Sequence, residues 1–350
     1  MKQGLFYCGV ECFSRILTKI LVFSEEKGNL LVRSGDFQYN RGNESGVLLP
    51  FVAAAQGHKG GNLMMKMKRL LLGAAFCGLI ALAGCGGSDE AETAVSAAEY
   101  VQAAKEMLEN ADSFAADFQA EVQMKGSGGT TTEGTVALVK DPLYMHVDMV
   151  LSFDELEQKY DMYLEKTGDA VNQYMSYDGE WTEMTMTEES ALTGTQLYNT
   201  LYNLETVFAA AENWTAEKDG KELKLTGIIP EAKFYDVEAY TRWFQLAGMS
   251  GLSEVYYKDL GDVPVTVTLD GKTGEPLSYT VDLAKPLETM TNNVLRELGG
   301  GTLVNGVEVE KYVITSVLTE LGGVEAGEVP AEAKSDAINY EKEISMLENE

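Results

Sequence analysis

Few side chains in this 350-residue sequence are placed to do chemistry: it has 4 cysteines, 2 histidines and 55 carboxylates against 27 Lys and Arg, for a net charge of −28. His146 lies in a stretch where Leu143, Met145, Val147 and Met149 alternate, so strand parity puts it on the opposite, wet face beside Asp148. It is expected to be a solvated strand histidine, because a Ser-His-Asp centre needs a cleft that this position does not line. A tetrahedral zinc site lacks donors, so no metal and no cofactor is expected. Carboxylate pairs such as Asp154-Glu155, Glu188-Glu189 and Glu205 with Glu212 suit glycoside hydrolysis, but no aromatic cluster flanks any one of them. The glycine-rich runs at 126–129 and 299–301 lack the strand-to-helix setting and the Lys-Ser or Lys-Thr of a phosphate loop. The negative charge argues against nucleic acid as a partner. These residues read as a protein that is not an enzyme.

The chemistry that remains is concentrated on one thiol. From Met64 the chain runs through Lys66, Lys68 and Arg69, an apolar stretch from Leu70 to Leu82, and then Ala83-Gly84-Cys85. That order is a secretory signal, its apolar stretch too short to span a bilayer comfortably. Leu82-Ala83-Gly84-Cys85 resembles a bacterial lipobox. The resemblance implies that the Cys85 thiol receives a diacylglyceryl group and becomes the first residue after cleavage. Two acyl chains are adequate for stable anchoring, so the expected location is the extracytoplasmic face of the cell membrane.

Export signals stand at the amino terminus, and Lys59-Gly60-Gly61 is what a frame gives when it runs through a purine-rich ribosome-binding site. Residues 1–63 are therefore expected to be leader ahead of a start at Met64, Met65 or Met67, with 64–84 the signal peptide and 85–98 a small, acidic, flexible tether. Beyond residue 84 there are 17 basic and 50 acidic side chains, a net of −33. Such a body is repelled from an anionic membrane face, which leaves the lipid to hold it. Cys8 and Cys12 fall in the leader and Cys77 in the signal, so the domain has no disulfide and must be stabilised by burial.

Tyr100, Val101, Ala104, Met107 and Leu108 have helical spacing, and from Phe114 the period changes to two. Phe114 to Met124 alternate, Gly126 to Gly129 turn, Thr135 to Val139 return, and Asp141-Pro142 breaks the pairing before Leu143 to Leu151. Tyr160 to Leu164, Val171 to Tyr177 and the residues around Trp181 continue a meander through Thr167-Gly168-Asp169 and Asp178-Gly179 turns. A helical stretch is expected over Glu188 to Ala211, a hairpin across Asp219-Gly220 and a second helix over Val237 to Ala247. After these come a hairpin across Asp270 to Gly274, a helix from Leu287 to Leu298 stopped by glycine, and a strand from Val307 to Leu318. Ala331 to Glu350 reads as a partly formed, acidic surface helix. Roughly ten strands with one apolar face need three or four helices to cover it, which predicts an α+β fold: a strongly curved antiparallel sheet, an open half-barrel, wrapped around helices.

The lipobox, the first helix, Lys140-Asp141-Pro142, Tyr177-Asp178-Gly179-Glu180-Trp181 and Thr268 to Gly274 together resemble Gram-positive cell-envelope lipoproteins of unknown function. That group is similar in plan to the LolA and LppX-type carriers. The resemblance implies one half-barrel domain over residues 99–327, an acidic tail over 328–350, and an apolar cavity for a lipid or lipidated partner. Methionine supports such a lining, being flexible and polarizable. Met124, Met145, Met149, Met162 and Met175 fall on the inner parity of one meander, with Met184 and Met186 open in register. The candidate lining is Phe118, Val122, Met124, Met145, Val147, Met149, Met162, Leu164 and Met175; ordinary core packing is the competing explanation. A non-catalytic interaction or sensory module with a closed core is the alternative function, and cavity volume separates the two.

Overall fold

The computed structural model describes residues 96–126, 128–153, 156–249, 252–303 and 306–339. The segments expected to be leader and signal peptide, Cys85, most of the expected tether and residues 340–350 lie outside the described residues.

Local sequence sets the first boundary. α1 (Ala97–Asn110) begins at Ser96, whose hydroxyl accepts the Glu99 N–H at 3.3 Å while the Glu99 carboxylate takes the Ser96 N–H at 2.7 Å. This capping box satisfies two orphan donors and holds the Glu99 carboxyl below its ordinary range. Val101, Ala104 and Leu108 form the buried stripe.

The alternating stretch then becomes a meander of antiparallel strands: β1 (Ser113–Met124), β2 (Gly128–Lys140), β3 (Leu143–Phe153), β4 (Leu156–Thr167), β5 (Ala170–Tyr177) and β6 (Glu180–Met186). α2 (Glu188–Gly194), a 3-10 turn (Gln196–Tyr198) and α3 (Thr200–Ala210) lead to the hairpin β7 (Glu212–Asp219) and β8 (Glu222–Ile229). α4 (Glu231–Thr241) and 3-10 turns at Trp243–Ala247 and Glu254–Tyr256 precede the hairpin β9 (Val263–Asp270) and β10 (Pro276–Asp282). α5 (Ala284–Leu298), β11 (Val309–Leu321), α6 (Ala331–Ser335) and β12 (Ile338–Asn339) follow.

The described strands form one sheet in the order β12-β6-β5-β4-β3-β2-β1-β11-β10-β9-β8-β7. Its two ends do not meet, so this is a curved, unclosed sheet of the α+β class. β11 joins the halves by pairing with β1 on one side and β10 on the other. The sheet is antiparallel except where β12 pairs with β6. Gly134 serves the β2–β3 contact, since a Cβ there would lie 2.6 Å from the Met149 Cβ; lacking one, the strands approach closely.

Helices lie over the inner face. The Thr200 hydroxyl of α3 is 2.9 Å from that of Ser316 on β11, and the Tyr312 hydroxyl donates to the Trp243 carbonyl. Beneath them Leu225, Ile229, Val263, Val265, Val267 and Val281 are almost fully buried.

Three helical stretches differ from expectation. Glu188 to Ala211 is broken into α2, a 3-10 turn and α3, because Thr195 follows Gly194 out of helical geometry and the Asn199 side chain restarts the helix by accepting the Tyr202 N–H at 3.1 Å. Val237 to Ala247 is broken at Arg242, which takes a left-handed conformation (φ 53°). In the acidic tail the helix is confined among the described residues to α6 (Ala331–Ser335), exposed except at Ala333, which with Val329 packs behind the sheet against Val139, Tyr144, Tyr163 and Tyr174.

Candidate functional site

Unbroken registers from β1 through β6 determine which side chains share the inner face. One transverse row is Phe118, Gly134, Met149, Tyr160 and Tyr177; its neighbour is Ala116, Val136, Val147, Met162, Met175 and Thr182. All nine candidate residues fall on this face, as do Met184 and Met186. Charge enters it only at strand ends, at Lys140, Lys166 and Glu180.

Burial divides the nine. Val122, Met124, Met145, Val147, Met162 and Leu164 are buried and pack as core, whereas Phe118, Met149 and Met175 are half-buried. The half-buried three adjoin Leu151, Phe153 and Tyr177, also half-buried. Together they make a partly covered apolar strip on the inner face of the β1–β6 half, a shallow trough that reaches the end of β3 at Phe153.

Sequence reasoning missed the aromatic group over this trough. Tyr198, from the 3-10 turn, has its ring centroid 6.0 Å from that of Phe118 and 6.4 Å from that of Tyr160, and Tyr160 meets Tyr177 edge-on at 5.2 Å. Burial pushes the Tyr198 phenol up to about 12 and the Tyr160 phenol well above its ordinary value. The Tyr198 residue as a whole is half-buried. Both phenols are neutral donors at physiological pH. Tyr160 and Tyr177 were visible in the strand alternation; Tyr198 was hidden by the expectation of an unbroken helix.

His146 lies on the back of the sheet, as parity requires, but its partner is Asp161 on β4 and not Asp148. Its Nε2 is 2.9 Å from Asp161 Oδ1 and its ring stacks on Tyr163 at 4.2 Å. The register explains this: His146 faces Tyr163 across the strands, and Asp161 is the diagonal neighbour. No group of three or more His, Cys, Asp or Glu is placed to hold a metal among the described residues.

Glu238 on α4 is the carboxylate most altered by its surroundings. It is buried, its Oε1 accepts the Phe244 N–H at 3.0 Å, its Oε2 has no hydrogen-bond partner, and burial raises its pKa to about 8. It bridges the break at Arg242 and caps the following turn. A separate open cleft of about 730 Å3 lies between α4 and residues 253–259, lined in part by Tyr235, Val255 and Tyr257, and touches none of the nine candidates. No helix of the described residues is long and apolar enough to cross a membrane.

Residues 96–237 match the profile of a family of unknown function (DUF6612). No curated protein matches the chain. Among solved structures it is similar to the lipoprotein LppX of Mycobacterium tuberculosis at 12% identity and a TM-score of 0.37, over 66% of this chain and 98% of that one. It is also similar to LprF from Mycobacterium bovis at 12% identity and a TM-score of 0.38, over 67% and 97%. A LolA superfamily protein from Nitrosomonas europaea shares 10% identity at a TM-score of 0.23, over 68% and 97%. Identities this low carry no residue roles across.

Proposed function

We propose that this protein is an extracytoplasmic lipoprotein, anchored by a diacylglyceryl group on Cys85, that binds the apolar part of a lipid or lipidated partner without catalysis. The observation that carries the reading is the partly covered trough at Phe118, Met149 and Met175, on a face whose charged side chains stand only at strand ends. Its chemistry is desolvation: removing apolar surface from water is worth roughly 25 cal/mol per Å2. An acyl chain laid along the trough would replace water at the thioethers of Met149 and Met175. The neutral phenols of Tyr160 and Tyr198 could donate to an ester or hydroxyl without requiring charge.

The test is mass spectrometry of full-length protein purified from its own membranes. One spectrum of the intact chain reports whether Cys85 is acylated and is the first residue; lipid extraction reports the cargo. The expected result is an acylated terminus and lipid bound in stoichiometric amount, lost in Met149→Asp and Met175→Asp while the fold is kept. A folded native protein free of bound lipid overturns the cargo reading, and an unmodified Cys85 overturns the anchor.

A further inference from the structure

The back of the β3–β6 region carries a second apolar cluster. Tyr144, Tyr163 and Tyr174 point away from the trough, and with Val139 they bury against Val329 and Ala333. Ala333 is wholly buried and Trp181 packs at the margin. The cover comes from the chain after β11, which crosses the back of β2–β6 at the strand ends that carry Val139, Tyr144 and Tyr174, while Asp117, Thr135 and Asp148 behind the trough rows stay exposed.

Both ends of this strap are fastened. At the β1 side the Gly322 N–H donates to the Ser113 carbonyl at 2.8 Å and the Val324 N–H to the Ser113 hydroxyl at 3.0 Å. At the β6 side Ile338 and Asn339 pair in parallel with Thr182 and Glu183. Between them the Lys334 ammonium meets the Glu165 carboxylate at 2.7 Å. Five strand intervals separate β1 from β6 in the sheet order, an arc of roughly 24 Å at the usual spacing. The strap therefore ties the first and last strands of the trough half across its back, and Gly322 and Gly323, both at positive φ, make the turn from β11 into it.

We infer that the strap from Val324 to Asn339 is a clamp on the trough: docked behind β3–β6 it holds the curvature that encloses a ligand, and undocked it lets β4–β6 move and the ligand leave. This rests on the reading of the trough as a ligand site. Adjacent residues on each strand serve the two faces, Tyr144 behind and Met145 in front, Tyr163 behind and Leu164 in front, Tyr174 behind and Met175 in front. Repacking of the back cluster is thus transmitted by the same backbone. Linkage makes the effect reciprocal, so an occupied trough must favour the docked strap. The docked state is held by Val324, Val329 and Ala333 against the tyrosines, two N–H bonds to Ser113, a two-residue strand and one ion pair, a short set of contacts that one substitution at Ala333 can disturb.

The test uses the full-length chain with Ala333→Asp, which puts a charge into the wholly buried strap position, and Val329→Ala, a milder change that serves should the first not fold. A pyrene-labelled diacylglycerol is the probe, and hydrogen exchange reads the strands. The expected result is faster exchange in residues 324–339 and in β4–β6 with β8–β10 unchanged, and probe release faster by about tenfold, within the usual range of such couplings. Exchange in β4–β6 that stays at the wild-type level while the strap itself exchanges freely overturns the clamp, as does an unchanged release rate. Failure of the wild-type protein to bind the probe while strand exchange responds to the strap overturns the trough as a lipid site, and with it the clamp's role in retention.

Discussion

The two halves of the sheet handle burial differently. In β8, the inward residues Leu223, Leu225, Gly227 and Ile229 are buried and every residue between them is exposed. β3 begins with Leu143, Tyr144 and Met145 all buried and ends half-buried on both parities from Met149 onward. The β8–β11 stretch is thus a largely one-sided sheet under a filled helical core, with β7 an exposed edge strand. The β1–β6 half is covered behind by the strap at one end of its strands, and in front its cover thins at Phe118, Met149 and Met175. Both halves hold fully buried residues, Leu225 and Val265 in the first and Met145 and Leu164 in the second, and the half-buried apolar strip at Phe118, Met149 and Met175 belongs to the second.

The largest expected effect tests that division directly. Leu225→Ala, in the filled half, should lower unfolding free energy by about 2–5 kcal/mol, the usual cost of a buried cavity. Met149→Ala, half-buried in the trough, should cost less than half as much. Urea denaturation of both variants decides, and equal losses would remove the distinction between the halves.

Glu238 sharpens the same comparison through pH. Its folded carboxyl titrates at about 8, against an ordinary 4.5. Below the lower value it is protonated whether the chain is folded or not. Between the two values the unfolded chain has released the proton and the folded chain has not, so stability falls as pH rises, by at most about 1.4 kcal/mol per unit. Above about 8 the loss is complete. Glu238→Gln keeps an acceptor for the Phe244 N–H and removes the slope, so its gain in Tm over wild type should be small near pH 5 and largest above pH 8. A gain independent of pH would show that the carboxyl is not buried neutral.

Surface pairs give the smallest effect. Lys334→Ala removes the ion pair from the strap to Glu165 on β4, and Lys125→Ala removes a more exposed pair to Glu308. Each should cost less than about 1 kcal/mol and less still at high salt. Thermal melts in low and high salt check this, and a loss of several kcal/mol at Lys334 would mean that the strap is welded down by charge and not by its apolar contacts.

The α+β class and the hairpin series were legible because period-two alternation and Asp-Gly turns are local signals. Asp178-Gly179 and Asp219-Gly220 turn where those residues predict, with Asp178, Gly179 and Gly220 at positive φ. The inner parity of Phe118, Met149 and Met175 was legible for the same reason, and the registers through β1–β6 keep it. Breaks within helical stretches were not: Arg242 is unremarkable in sequence, and its left-handed turn is tied to a carboxylate four residues away and to the packing of Trp243 and Phe244. Tyr198 could not be assigned to the trough while residues 188–211 read as one helix.

Alternation, turn chemistry, charge balance and the Leu82 to Cys85 segment are properties of neighbouring residues, and sequence by itself determined them. Which methionines pack as core and which remain half-covered was decided only in three dimensions, because exposure on the inner face depends on what the helical segments lay over each strand. Tyr144, Tyr163 and Tyr174 are the clearest case: parity assigns them to the wet face, and residues distant in sequence bury them there, since aromatic surface is removed from water by whatever segment the fold brings to it.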